Sequence, residues 1–321
     1  MSQKIIEGMF FDELMVKCEK TPDTTIVTFE NGEYGDEPLT YRDLFVNTCK
    51  VARRLKDSGI GRGDTFSLVM RNHPEFLYCM GAASMLGAVV VPIDPRSKGG
   101  KLSYQIKDSS SKGVIFTSEF TEEVEKSLAA LNGVKVLGVV HKDAFAAPPR
   151  EKYQDFNEIL SGPEVPPVDG RNDDVKAPLE IIYTSGTTGD PKGVLIKGNR
   201  MPMFKLLAQF VWGYTDADKL YTGLSLTHGN AQAVTLVPSL MLGVPSVISR
   251  KFTKSRLWDI CRKHGCTTFS LLGGMMMGIY SEPRRPNDAD NPVKKVISAG
   301  TPIAIWEDFE KRFDVKIHEW Y

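Results

Sequence analysis

Residues 183–193 read YTSGTTGDPKG and lie between two apolar runs, Leu179-Glu180-Ile181-Ile182 and Val194-Leu195-Ile196. Gly186 and Gly189 can take positive φ, which lets successive backbone N–H groups converge on one point. Such a nest binds anions. Thr184, Ser185, Thr187 and Thr188 add hydroxyl donors, and Lys192 adds a point charge suited to phosphate oxygens. Pro191 fixes the turn before the lysine. The combination favours a polyphosphate. It is not a Walker loop, because Lys192 is followed by Gly193 where a Ser or Thr would hold magnesium. It is not a dinucleotide fingerprint either, which would open a helix. Val194-Leu195-Ile196 predicts a strand, so the loop joins two strands.

Working outward, strand patterns at 66–70, 88–93, 113–117 and 134–140 alternate with helical patterns at 75–86, 101–108 and 122–131. That alternation predicts parallel strands covered by helices. The nearly apolar run 76–93 is long enough to suggest a membrane span. Asn72 as cap, Pro74 at the first turn and Gly87 as terminator predict instead a helix followed by a buried strand. Residues 141–178 hold six prolines and many charges, the composition of a long surface connection. Alternation resumes with strands at 220–224, 246–250, 267–272, 294–298 and 315–321. The intervening helices fall at 202–211, 231–242, 254–264 and 303–313. The expectation is an α/β fold of two successive parallel-type subdomains. One covers about 50–200 with the phosphate loop, and the other about 10–48 plus 201–321. Near the N-terminus, Asn31-Gly32 suggests a hairpin, and Thr40 with Asp43 resembles a capping box.

Composition excludes several classes. The 321 residues carry 40 basic and 40 acidic side chains, with 41% apolar and 25% charged residues. This soluble, neutral balance gives no field for nucleic acid. Five scattered cysteines lack zinc-site spacing and read as free thiols of a reduced cytoplasm. The N-terminus lacks a signal peptide's apolar stretch. His73, His141 and His264 fall outside any motif and read as surface or capping residues. Met275-Met276-Met277 reads first as core and second as an adaptable pocket wall. Arg284-Arg285-Pro286 reads as a solvated loop.

Residues 183–193 resemble the signature of adenylate-forming enzymes: acyl-CoA synthetases, peptide-synthetase adenylation domains and luciferases. Further stretches resemble that family in the same order. They are 39–44 (LTYRDL), 87–96 (GAVVVPIDPR), 225–230 (SLTHGN, with Ser and Thr where Pro and Phe are usual), 298–303 (SAGTPI) and 318–321 (HEWY). The resemblance implies ATP-dependent activation of a carboxylic acid to an acyl-adenylate, then thioester formation with coenzyme A. By the same resemblance, Thr184, Ser185, Gly186, Thr187, Thr188, Gly189 and Lys192 would hold the β- and γ-phosphates. His228 would sit where the carboxylate meets the α-phosphate, so that His228, Lys192 and Thr184 are the catalytic candidates. Gly300, Thr301 and Pro302 would form the turn against adenine. Glu319, Trp320 and Tyr321 would line the other side, with the Tyr321 ring on the base. Gly229, Gly273, Gly274 and Met275 would join His228 around the acyl group, leaving room for a bulky acid.

The family pattern would continue past Tyr321 with the glutamate that helps hold Mg2+, a β-barrel completion and a small C-terminal lid domain with a catalytic lysine. The expectation is therefore an incomplete N-terminal AMP-binding domain, inactive alone, with no metal ligand of its own. The implied partners are a small carboxylic acid, ATP and coenzyme A, without nucleic acid or an integral membrane segment. A homo-oligomer is compatible with the sequence. Among acids, the similarity extends to medium-chain, aryl and carnitine-type ligases without choosing one. The competing reading is a non-catalytic nucleotide-binding module or scaffold of the same fold.

Overall fold

The computed structural model of the chain describes residues 9–142, 152–168, 170, 173–184 and 189–320. The α/β class is as expected, and the chain divides into two compact units. The first comprises residues 1–24 and 40–201, the second 25–39 and 202–321. Of the segment 10–48 expected with the second unit, only 25–39 falls there.

The first unit contains α1 (Phe10–Lys20), α2 (Tyr41–Asp57), β3 (Thr65–Val69), α3 (Pro74–Leu86), β4 (Val89–Ile93), α4 (Gly100–Asp108) and β5 (Ser111–Thr117). It continues with α5 (Thr121–Leu128), β6 (Lys135–Val140), α6 (Phe156–Ser161), β7 (Pro178–Thr184) and β8 (Lys192–Lys197). Its sheet runs β6-β5-β3-β4-β7-β8. All neighbours are parallel except β7 and β8, which are antiparallel. All five residues of β4 are buried, which a parallel strand covered on both faces requires. All thirteen residues of α3 are buried too, so the apolar run 76–93 is interior helix plus interior strand. No helix among the described residues is long and apolar enough to cross a membrane. Gly87 ends α3 with φ 66°, a conformation that costs glycine little. The N-cap, however, is His73 rather than Asn72, and no side chain caps there. Of the two roles expected for His73, surface or capping, it holds the N-cap position and is buried, at 1% exposure, rather than on the surface.

Thr40 begins α2 with a full capping box: Asp43 N–H donates to Thr40 Oγ1, and the Asp43 carboxylate accepts from Thr40 N–H. Thr40→Ala should cost about 1 kcal/mol, read as a lower thermal midpoint. The stretch 141–178 is only partly a surface connection. Asp155 caps α6 by accepting from Asn157 N–H, and Phe156 is 1% exposed. The Phe156 ring fills the space that a side chain at Gly138 would occupy. Proline and charge density concealed this one docked turn.

The second unit contains β1 (Thr25–Glu30), β2 (Glu37–Thr40), α7 (Arg200–Phe210, whose first residues belong to the first unit), β9 (Leu220–Thr222) and β10 (Ser246–Ser249). It continues with α8 (Leu257–His264), β11 (Thr268–Leu272), α9 (Gly273–Tyr280), β12 (Lys295–Ala299), α10 (Trp306–Phe313) and β13 (Lys316–Glu319). The sheet order is β13-β12-β11-β9-β10-β1-β2. From β13 to β1 every pairing is parallel. The strand β1 pairs with β10 in the register Val27↔Ser246 to Glu30↔Ser249. The helix expected at 231–242 is present, but as two π-helical segments, Ala231–Leu236 and Ser239–Gly243. Apolar periodicity does not separate an α turn from a π turn, and π segments often occur at functional sites.

On the helical side, Trp258 stacks on Phe313 at 4.4 Å. Buried Arg312 pairs with Asp288 at 2.7 Å and donates to the carbonyls of Tyr280, Glu282 and Pro283. Asp218 ties the entrance of β9 to its neighbours. It accepts from Thr215 N–H at 2.9 Å, Thr267 Oγ1 at 2.8 Å and Lys295 Nζ at 3.2 Å. Burial pushes this carboxyl up, but the bonds from Thr215, Thr267 and Lys295 prevail and hold it below 3.8. A depressed carboxyl stabilises above its unfolded pKa and loses that contribution as pH falls through the folded one. The structure should therefore keep Asp218's contribution at neutral pH and lose it below 3.8. Asp218→Asn should flatten that limb of a stability–pH curve.

Candidate active site

In the first unit, the hydroxyl-rich loop joins β7 to β8, as its flanking apolar runs predict. Tyr183 faces Gly193 and Thr184 faces Lys192 across the antiparallel pair. Thr184 Oγ1 donates to the Lys192 carbonyl at 3.4 Å. A Cβ added at Gly193 would crowd Ile181 Cγ2 at 3.0 Å and meet the Tyr183 ring in ordinary contact at 3.4 Å. The Tyr183 hydroxyl then reaches α4, donating to Asp108 Oδ2 at 2.6 Å. Burial, then this carboxylate, raises the phenol's pKa, so the ring is a neutral anchor at the root of the loop. Lys192 is exposed. Ser185, Gly186, Thr187 and Thr188 lie outside the described residues, whereas Gly189 is described, and among the described residues nothing lies within 4 Å of where its Cβ would stand.

In the second unit, parallel strands bring the other candidates to one edge. Residues 319–320, 300–302, 273–275 and 225–229 lie at or just past the carboxyl ends of β13, β12, β11 and β9, which are consecutive neighbours. Ligands of open parallel sheets bind outside such carboxyl ends. After β9, residues 225–228 form a tight turn in which His228 N–H donates to Ser225 O at 2.9 Å. His228 is exposed, and its Nδ1 accepts from Asn230 N–H at 3.2 Å. An acceptor at Nδ1 leaves the ring's proton on Nε2, so the imidazole offers an N–H donor.

After β12, Gly300 turns with φ 78°. The Glu319 carboxylate holds that turn, accepting from Gly300 N–H at 2.5 Å and from Thr301 N–H at 3.1 Å. It also accepts from the Thr301 hydroxyl, which lies 2.8 Å from Ser298 Oγ. Three donors on one carboxylate make Glu319 a clamp on the 300–302 turn. Both ends of this clamp stand out in the sequence, but the bonds between them do not. Trp320 packs edge-on against Trp212 at 5.2 Å. Tyr321 lies outside the described residues.

The two glycines read as pocket space differ. A Cβ on Gly273 would stand 1.8 Å from the Gly300 carbonyl oxygen, whereas one on Gly274 would meet nothing within 4 Å. The missing side chain at Gly273 is therefore taken up by backbone and leaves no room for an acyl group. Of the methionines, Met276 is buried in the core, Met275 packs against it, and Met277 is 44% exposed. Among the described residues, no group of three His, Cys, Asp or Glu could hold a metal.

Residues 14–321 match the AMP-binding enzyme family. The medium/long-chain-fatty-acid–CoA ligase FadD6 of Mycobacterium tuberculosis is 27% identical over 90% of this chain and 47% of its own length. The 4-coumarate–CoA ligase CCL1 of Humulus lupulus is 30% identical over 85% of this chain and 49% of its own. Long-chain fatty acid transport protein 2 of Rattus norvegicus is 29% identical over 95% of this chain and 48% of its own. The chain thus spans about half the length of the curated relatives it matches. Among solved structures, the anthranilate CoA ligase AuaEII in complex with anthranoyl-AMP superposes with TM-score 0.85 at 18% identity, over 98% of this chain and 60% of that one.

Proposed function

This chain belongs to the AMP-binding enzyme family, and on that premise we propose that it carries the nucleotide- and acid-binding half of an AMP-forming acid–thiol ligase. In the reaction, a carboxylate oxygen attacks the α-phosphorus of ATP. The new bond gives an acyl-adenylate as the bond to pyrophosphate breaks. The sulfur of coenzyme A then attacks the acyl carbon and AMP leaves. A carboxylate is a poor acyl donor, and the adenylate supplies its leaving group. The protein's task is to position anions and stabilise charge at phosphorus.

The observation that carries this reading is the convergence of 225–229, 273–275, 300–302 and 319–320 on neighbouring carboxyl strand ends. In the proposal, the loop 184–189 and Lys192 take the β- and γ-phosphates. The turn at Gly300, Thr301 and Pro302, braced by Glu319, receives the adenine together with Tyr321. The Nε2 proton of His228 meets the carboxylate where it approaches phosphorus, with Gly229, Gly274 and Met275 near the acyl group. Mg2+ would travel with ATP and is assigned no protein ligand in this chain. The five cysteines are all free thiols, which fits the cytoplasmic setting included in the proposal.

The direct test is calorimetric titration of the 321-residue chain with AMP and with non-hydrolysable acyl sulfamoyladenosines. Saturable binding of both is expected, and failure of both to bind would sink the proposal. Acid-dependent exchange of pyrophosphate into ATP is expected only in a protein of the relatives' full length.

A further inference from the structure

Asn230 carries a feature that this chemistry does not use. Its side chain is 6% exposed, yet neither Oδ1 nor Nδ2 has a hydrogen-bond partner among the described residues. Buried amides are nearly always paired, because their lost hydration is otherwise not replaced. Asn230 lies in the first turn of a helix that begins at Gly229 and runs on into the π segment Ala231–Leu236; its backbone is helical, at φ −61° and ψ −46°, and its side chain makes no capping bond.

Polar side chains of the same segments bond one another instead. Ser225 and Thr227 bond each other at 2.8 Å, and Gln232 Nε2 donates to Leu226 O at 2.7 Å. Thr235, Ser270 and Thr222 form a hydroxyl chain with links of 3.1 and 3.0 Å. None of these bonds reaches the Asn230 amide. Its own N–H is bonded to His228 Nδ1 at 3.2 Å, which fixes it in the turn that presents His228.

We infer that Asn230 is a specificity residue for the acid, its buried amide receiving a hydroxyl group on the acyl part of the substrate. This rests on the reading of the His228 turn as the acid site. An amide offers both donor and acceptor, and a hydroxyl answers both. A plain alkyl chain would leave the amide dry and unpaired, and sites built to bond a hydroxyl discriminate strongly against analogues that lack one. The substrate class is therefore a hydroxylated acid rather than an unsubstituted fatty acid.

The test compares pairs of acyl sulfamoyladenosines that are identical except for one hydroxyl, placed at successive acyl carbons, by calorimetry on the whole chain. At least one hydroxylated member should bind about tenfold more tightly than its plain partner. Asn230→Leu, similar in volume, should abolish that ratio while retaining affinity for the plain member and for AMP. It should also raise the thermal midpoint of the ligand-free chain by a few degrees, because it removes a buried unpaired amide. Asn230→Ser gives a second, smaller polar variant, expected to keep part of the ratio. Equal binding within every pair, or a ratio that survives Asn230→Leu, overturns the inference while leaving the proposed function standing. A lower midpoint with an unchanged ratio would mean that a buried water satisfies Asn230, and overturns it likewise. If no analogue and no AMP bind, the proposed function fails and the inference with it.

Discussion

Gly273→Ala should destabilise the second unit by about 3 kcal/mol and abolish nucleotide binding with it. The added methyl would lie 1.8 Å from the Gly300 carbonyl oxygen, a backbone atom. Flexible side chains can give way to a methyl, but here β11 and the 300–302 turn would have to separate. That turn is held on its other side by Glu319, so the strain passes into the clamp. The control is its neighbour. Gly274→Ala enters open space, at the second residue of α9, where alanine is a better helix former by up to about 1 kcal/mol. Thermal melts of the two variants should move apart, with Gly273→Ala falling and Gly274→Ala holding or rising. AMP titration should follow the same order. Equal melts would show that the 300–302 turn yields freely and that Glu319 does not fix it.

Lys192→Ala should weaken ATP binding at least tenfold, as expected for losing a charge-assisted contact of about 1.5–3 kcal/mol, while AMP affinity stays unchanged. The distinction follows from the proposed role. Lys192 stands at the start of β8 opposite Thr184, where the loop would take the phosphates that AMP lacks. His228→Ala should show the reverse pattern, weakening acyl sulfamoyladenosine and leaving ATP untouched. In a full-length protein with exchange activity, Lys192→Ala should lower the rate by about 10²-fold, the loss typical of removing one donor aimed at developing charge. If Lys192→Ala weakens AMP and ATP alike, its charge acts generally rather than at the terminal phosphates.

These expectations come from residues whose legibility in the sequence differed for physical reasons. Elements that bury themselves by pattern were readable. Val89-Val90-Val91 announces a strand covered on both faces, Gly87 announces the end of α3, and Thr40 with Asp43 announces a capping box. The loop between β7 and β8 was readable because glycine, hydroxyl and lysine together have few other uses. Features that depend on a partner distant in the chain were not. Gly273 looked like pocket space, but its purpose lies in a carbonyl at residue 300. Glu319 looked like a ligand-lining residue, and its three donors are on the neighbouring turn. His73 has no apolar signature, yet it is buried. Phe156 sat inside a proline-rich, charged stretch whose average composition concealed one buried ring. The π segments at 231–243 share their apolar composition with an ordinary helix, and only hydrogen-bond spacing tells them apart.

The placement of β1 has a consequence for how the chain assembles as it is made. Most of the first unit is continuous in sequence from residue 40 to 201 and can form once that length has emerged. The strand β1 precedes it with β2 on one side, yet its other neighbour is β10, and the bond from Ser249 to Glu30 spans 219 residues. Until β10 is synthesised, β1 presents one unpaired backbone edge, the kind of surface through which chains associate wrongly. Pairings so distant close slowly, because the intervening loop must first be ordered. A strand that must wait for most of the chain to be translated places the main folding hazard at the N-terminus. A circular permutant that begins at residue 40 and carries 9–39 after the present C-terminus would shorten the wait of β1. Faster refolding of such a permutant, with an unchanged equilibrium midpoint, would identify the late closure of β1 as the slow step.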